Sequence, residues 1–257
     1  MRIDVLTLFP EIFESPLRAS LLGKAIADGL LTVALTNIRD FAVDRHQTVD
    51  DAPYGGGPGM VMKCEPIFAA VESLRSVNSL ERVVLLSPRG RKLDQARVRE
   101  LAAAPDLVLL CARYEGVDER VSQALVTEEI SIGDYVLSGG ELPALVLIEA
   151  ISRMLPGVVG DWESVETDSF YAGLLGPPQY TRPAVFRGME APAVLREGNH
   201  AAIRRWRRKE ALRVTRARRP DLLVSLTEED QKLLAEIARE TSAQVVPPAD
   251  AKKENLS

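Results

Sequence analysis

A chain of 257 residues with 46% apolar and 27% charged residues has room for one large domain or two ordinary ones, and its make-up is that of a globular protein. No apolar run approaches the roughly 20 residues of a membrane helix, and two cysteines with two histidines argue against a disulfide framework or a Cys/His zinc site. The net charge of −5 hides an asymmetry: residues 182–219 hold twelve Lys/Arg against three Glu, a local balance of +9. Such a run points to a polyanionic partner, with a solvated helix face as the plainer alternative.

Residues 2–9 alternate like a strand and end at Pro10; they read as a first strand rather than a signal peptide, so a cytoplasmic protein is expected. A helical turn starts at Pro10, and Leu17, Leu21, Leu22 and Ala25 then recur at helical spacing up to Asp28-Gly29. Residues 30–35 are rich in β-branched and apolar types and read as a second strand. Residues 38–52 have no period and read as loop. The run Tyr54-Gly55-Gly56-Gly57-Pro58-Gly59-Met60-Val61-Met62 cannot hold a helix or a central strand. A tether and a mobile lid both fit it; the shortage of serine and charge and the apolar residues that follow favour a lid with one end in the core.

From residue 65 onward helix and strand alternate. Helices are predicted over 65–77, 94–102, 118–125 and 142–155, and strands over 82–86, 107–111 and 128–132. Apolar strands alternating with helices predict an α/β fold with a parallel sheet covered on both faces. The segments 87–90, 112–116 and 133–140 all follow strand ends, where such sheets bind ligands, so they describe one composite pocket. Neither a dinucleotide fingerprint nor a P-loop is present, so a ligand such as an adenosyl group bound mainly through backbone is one that such a pocket would suit. The third segment lies within Ser131-Ile132-Gly133-Asp134-Tyr135-Val136-Leu137-Ser138-Gly139-Gly140-Glu141, and Glu141 opens the next helix, where an acid suits the dipole.

Residues 160–176 read as an acidic linker, although Phe170 and Tyr171 beside Asp168 imply packing. Asn199 caps a helix over 201–215 that carries Arg204, Arg205, Trp206, Arg207, Arg208, Lys209 and Arg213. Trp206 among arginines suits stacking on RNA, but the preferred reading makes it the core anchor of a small helical domain with the arginines outside. A last amphipathic helix spans 226–240, capped by Thr227, and residues after 242 read as disordered.

Several of these motifs together resemble the bacterial tRNA (guanine-N1)-methyltransferase family: Leu86-Ser87-Pro88 with Gly90-Arg91-Lys92-Leu93, the run from Arg113 to Arg120, the Ser131 to Glu141 run, Tyr54 to Met62, Tyr180-Thr181-Arg182-Pro183, and Gly198-Asn199-His200-Ala201 with Ile203-Arg204-Arg205-Trp206. The resemblance extends over residues 1–240. It implies a SPOUT-type parallel sheet with a deep C-terminal trefoil knot, plus a small helical C-terminal domain. The implied division is a knotted domain over 1–160, a linker over 161–176, a helical tRNA-binding domain over 177–241 and a tail over 242–257.

It also implies S-adenosylmethionine as methyl donor and tRNA as acceptor, at N1 of the guanosine next to the anticodon on its 3′ side, position 37. The donor contacts it implies fall on Leu86, Pro88, Ala112, Tyr114, Glu115, Gly116, Ile132, Gly133, Asp134, Tyr135, Val136, Leu137, Gly139, Gly140 and Pro143. Asp168 matches the family's general base, and Arg153 matches the residue that stabilises charge developing on O6. The family works as a homodimer with shared sites and uses Mg²⁺, for which Glu115 is the matching ligand and Asp168 a second candidate. Two positions depart from the pattern: Ala112 stands where the family usually has glycine, and Arg89 where glutamine is common.

Overall fold

The computed structural model describes residues 1–75 and 82–245, the last three through their backbone. The chain divides into two compact units after Val165. The first is built on five strands: β1 (Arg2–Thr7), β2 (Thr32–Asn37), β5 (Val83–Lys92), β6 (Asp106–Cys111) and β7 (Glu128–Ser131), with a short antiparallel pair, β3 (Asp50–Asp51) and β4 (Val61–Met62), between them in sequence. The five pair in parallel in the order β2-β1-β6-β5-β7.

Strand alternation sorts the core onto two faces. Ile3, Val5, Val84, Leu86, Leu107, Leu109 and Cys111 face one side, under helices α1 (Glu11–Glu14), α2 (Ser20–Ala27), α4 (Gln95–Ala102) and α6 (Glu141–Ser152). Leu6, Val83, Leu85, Val108 and Leu110 face the other, under α3 (Cys64–Arg75) and α5 (Glu119–Ala124). A sheet buried on both faces needs the nearly continuous apolar runs that β5 and β6 show. Helix starts follow their caps. Asp94 accepts from the Arg97 N–H at 2.8 Å and Asp118 from the Arg120 N–H at 2.9 Å, each satisfying an orphan donor of the first turn.

Some expectations need correction. The segment 87–90 is not a loop after a finished strand. The strand carries on to Lys92 with a break in register, so that Leu86 and Arg91 both sit opposite Ile130. Gly90 makes this possible, because a Cβ there would lie 2.4 Å from main-chain atoms of β7. Residues 38–52 are not wholly irregular, since Ile38–Phe41 form a 3₁₀ turn and Asp50–Asp51 pair with β4. The glycine run is held at both ends by that pairing, so it is a hairpin loop and no tether; Gly55, Gly56, Gly57 and Gly59 all take positive φ there. The acidic stretch after residue 160 contains a short helix, α7 (Trp162–Glu166). Residues 76 and 77 of the helix expected over 65–77 lie outside the described residues.

The second unit packs α8 (His200–Arg218) against α9 (Glu228–Val245). Its core is Leu174, Ala211, Leu212, Leu233 and Ile237. Leu212, fully buried, is the anchor on α8, and Trp206 is only half-buried, with its ring edge to Tyr180 at 6.2 Å between centroids. Thr227 and Asp230 cap α9 reciprocally: the Asp230 N–H donates to the Thr227 hydroxyl at 3.1 Å and the Thr227 N–H to the Asp230 carboxylate at 3.0 Å. Residues 242–245 belong to α9 rather than to a disordered tail, and the remainder of the expected tail lies outside the described residues. A two-stranded hairpin, β8 (Val185–Phe186) with β9 (Met189–Glu190), precedes α8. Among the described residues no helix is long and apolar enough to cross a membrane.

Candidate functional site

Beyond the carboxyl ends of β6 and β7, and beside the register break of β5, lies a cavity of about 290 Å³, at the small end of ligand sites. Three chain segments wall it: Leu85 to Arg89, Ala112 to Val117, and Ile130 to Gly140, with Pro143 closing one side. Its charged lining residues are Arg89, Arg113 and Glu115; the rest is apolar side chain, tyrosine, serine and main chain. Such walls suit a flat nucleoside held by peptide groups and leave few charges to fix its polar end.

Glycines bring these segments together for different reasons. Gly140 donates its N–H to the Ala112 carbonyl at 2.9 Å, and a Cβ on it would lie 2.7 Å from the Cys111 Cα. A Cβ on Gly139 would lie 2.3 Å from Arg113 Nε and 2.5 Å from a Glu141 carboxylate oxygen. Gly133 instead has φ near +154°, and Ser131 crosses under it with its hydroxyl donating to the Gly133 carbonyl at 3.0 Å. Tyr114 takes a positive φ of 58° although it is not glycine, a strained backbone at a cavity wall. The glycine hairpin loop reaches the same place. The Glu115 N–H donates to the Met60 carbonyl at 3.0 Å, and a Cβ on Gly59 would lie 2.5 Å from Glu115 Cγ and Oε1.

Of the residues expected to contact a donor, all but Asp134 line this cavity. Asp134 is exposed and forms an ion pair with Lys92 at 2.9 Å, across the outer side of the loop. The expectation had taken the whole run, and Asp134 is the one residue of 130–140 that does not line the cavity. Ser87, Arg89, Arg113, Ser131 and Ser138 line it too; the expected pocket segments 87–90, 112–116 and 133–140 took in all of these but Ser131, yet none was expected to contact the donor. Arg113 was the most accessible of these to reading, since it sits inside the motif that supplies Ala112, Tyr114 and Glu115. The departure at Arg89 is accommodated by pairing with Glu119 at 3.5 Å and Glu129 at 3.4 Å on the rim.

Arg153 caps α6 at its C-terminal end and is half-buried, in the first unit. Asp168 is exposed, in the second. Glu115 is the only acid among the cavity's described lining residues, and no group of three or more His, Cys, Asp or Glu that could hold a metal occurs among the described residues. Glu115 offers a single carboxylate, so these side chains alone form no all-protein cage for magnesium.

Nearby titrating groups are set by their neighbours. The Arg120 guanidinium, donating twice to Asp118 at 2.8 Å, holds that carboxyl well below the usual carboxylate range. Burial pushes the Cys64 thiol up, and Asp118 adds to the effect. Burial raises Cys111 well above an ordinary thiol, so this cysteine behind the cavity is a packed apolar group and no competing nucleophile.

In the second unit the basic segment is less one-signed than it reads. Arg208 bonds Asp230 at 2.7 and 2.8 Å, Lys209 bonds Glu236 and Glu240 at 3.0 and 2.6 Å, Arg213 bonds Glu240 at 2.6 Å, and Arg205 bonds Glu236 at 2.5 Å. The acids of α9 thus neutralise one flank of α8. No ion pair to a described residue occurs for Arg204, Arg207, Arg216 or Arg218, all exposed, and the helical period places Arg204, Arg207 and Arg218 on one stripe.

The sequence is similar to known proteins over nearly its whole length. Residues 1–225 match the family model described as tRNA (Guanine-1)-methyltransferase TrmD. The chain is 60% identical to the tRNA (guanine-N(1)-)-methyltransferase of Gloeobacter violaceus, over 87% of this chain and 98% of that protein. It is 56% identical to the protein of the same name from a Synechococcus strain, over 92% and 94%, and 52% identical to that of Geobacter sulfurreducens, over 93% and 99%.

Proposed function

The chain belongs to the tRNA (guanine-1)-methyltransferase family, and from that premise we propose that it methylates N1 of the guanosine on the 3′ side of the tRNA anticodon, position 37, with S-adenosylmethionine as donor. The observation that carries the reading is the cavity itself: two strand-following segments and the broken stretch of β5, all within this family's motifs, converge on one space walled largely by main chain. An adenosyl group fits such walls, and bound there the donor supplies a methyl group made electrophilic by a sulfonium.

Guanine N1 carries a proton at neutral pH and is a poor nucleophile until it is lost. Asp168 is the base in this reading: its carboxylate takes the N1 proton as N1 bonds to the methyl carbon, and the C–S electron pair stays on sulfur. Losing the proton moves negative charge onto O6, where the always-charged guanidinium of Arg153 lowers the barrier. The site is completed between two copies of the chain, and the helical unit carries tRNA through its unneutralised arginines.

The test is to incubate the protein with S-adenosylmethionine and an unmodified tRNA transcript and to locate the methyl group by nuclease mapping. Methyl on N1 at position 37 is expected; methyl on a ribose, or none, overturns the reading. Asp168→Asn is expected to bind the donor as the wild type does and to lose turnover by roughly 100-fold or more, the scale of a positioned general base. Near-normal turnover in that variant removes Asp168 from the role.

A further inference from the structure

The first unit contains a buried ion pair that no step above uses. Glu141, the first residue of α6, is 1% exposed. Thr7, at the end of the interior strand β1, donates its hydroxyl to Glu141 Oε1 at 2.8 Å. The other oxygen, Oε2, lies 2.9 Å from Nε of Arg113. Both of these atoms are buried, and the N–H is not aimed at the oxygen, so the pair is held by charge and by its surroundings. The Arg113 guanidinium also lies over the Phe9 ring, 4.4 Å from its centroid, and its Nη1 donates to the Ser138 carbonyl at 3.3 Å. Arg113 and Gly139 form an antiparallel bridge between the two loops.

One side chain therefore touches three parts of the fold. It springs from the segment after β6, binds the main chain of the segment before α6, and meets a carboxylate fixed to β1. Arg113, Ser138 and Gly139 all line the cavity. A pair buried this deeply is weak evidence for stability, because desolvating both charges offsets their attraction. Its worth lies in fixing geometry. A planar guanidinium seated on a ring, a carbonyl and a carboxylate has one position, and the two loops move with it. The missing Cβ of Gly139 is the space through which Nε and the carboxylate approach.

We propose that Arg113 and Glu141 are positioning residues: their pair, seated on Thr7 and Phe9, sets the spacing of the two loops on which the methyl donor rests. The proposal stands on the donor-binding reading given above and adds that the pair acts on donor affinity.

The experiment compares wild type, Glu141→Gln and the double variant Arg113→Met/Glu141→Gln by calorimetry with S-adenosylmethionine and by thermal unfolding. Glu141→Gln keeps the acceptor for Thr7 but strands a buried cation. It is expected to lower the melting temperature and to weaken donor binding by about 10- to 100-fold, the cost of a cavity wall displaced by about 1 Å. The double variant removes both charges and is expected to recover the melting temperature while donor binding stays weak. Recovery of affinity together with stability would show a purely structural pair and overturn the proposal, as would wild-type affinity in Glu141→Gln. A wild-type protein that does not bind the donor overturns the functional reading and this inference with it. Donor binding in wild type and Glu141→Gln alike overturns the inference alone.

Discussion

Gly140→Ala isolates how closely the cavity loops must approach. Gly140 has φ −81° and ψ −5°, a conformation alanine adopts without strain, so the substitution tests space and nothing else. The added Cβ would lie 2.7 Å from Cys111 Cα, 3.0 Å from the Ala112 nitrogen and 3.2 Å from the Cys111 carbonyl carbon. All three are main chain at the end of a central strand, and none can swing aside. The start of α6 must retreat by about 1 Å to restore ordinary contact, and the Gly140 to Ala112 hydrogen bond stretches with it.

Two effects oppose. Alanine restricts the unfolded chain and stabilises by about 0.4–1 kcal/mol, whereas overpacking a closed contact costs about 1–3 kcal/mol. The second prevails, for a net loss of roughly 1–2 kcal/mol. For a chain of this size each kcal/mol lowers the melting temperature by about 2–4 °C, so a fall of roughly 2–8 °C is expected. Donor affinity falls further, by about 10- to 100-fold, because the displaced main chain is the wall itself. Gly160→Ala is the control: nothing lies within 4 Å of a Cβ there and its φ is not in the left-handed region, so a small gain in stability and unchanged donor binding are expected. Thermal unfolding and calorimetry on both variants decide the matter. If Gly140→Ala matches Gly160→Ala in both readouts, the loop does not rest on β6 as described.

The helical unit offers two further tests. Asp230 is almost wholly buried, and the hydrogen bonds from Arg208 hold its carboxyl down at about 2, below the ordinary 3.9 or so of an unfolded chain. A depressed carboxylate contributes fully above about pH 4 and loses its contribution as pH falls through about 2. Asp230→Asn is therefore expected to cost about 2 kcal/mol near pH 7 and less than about 0.5 kcal/mol near pH 2, which urea denaturation at the two pH values will show. Unchanged stability at pH 7 would mean the Arg208 pair adds nothing. Arg204→Ala and Arg207→Ala, which break no ion pair among the described residues, are expected to weaken tRNA binding with little change in melting temperature. Each is expected to lower the salt dependence of binding by about one unit in the log–log slope, and a slope equal to wild type would move the RNA surface elsewhere.

What could be read in advance was whatever depends on near neighbours in the chain. The alternation of β1, the apolar runs of β5 and β6 and the caps Asn199 and Thr227 are local rules, and each operates where its residue types predict. Two kinds of feature escaped. The passage at 87–92 reads as a turn because Ser-Pro-Arg-Gly is turn-like, whereas it resumes pairing only because β7 lies beside Gly90, at 2.4 Å from where a Cβ would be. The basic run reads as one-signed because its countercharges, Asp230, Glu236 and Glu240, arrive on another helix.

The three glycines of the third cavity loop carry this division further. In the sequence Gly133, Gly139 and Gly140 are interchangeable signs of a turn. In the structure only Gly133 is there for its backbone angle. Gly139 is there to let an arginine meet a glutamate, and Gly140 to let a helix start against a strand. The first requirement is local and any turn with positive φ would have it. The other two are imposed by residues far away in sequence, Arg113 and Cys111, and they are the ones that fix the wall of the cavity. It follows that substitutions at Gly139 and Gly140 should be rescued, if at all, by changes at those distant positions, whereas one at Gly133 should not. Shortening Arg113 in a Gly139→Ala background is the pairing where such rescue of fold should appear first.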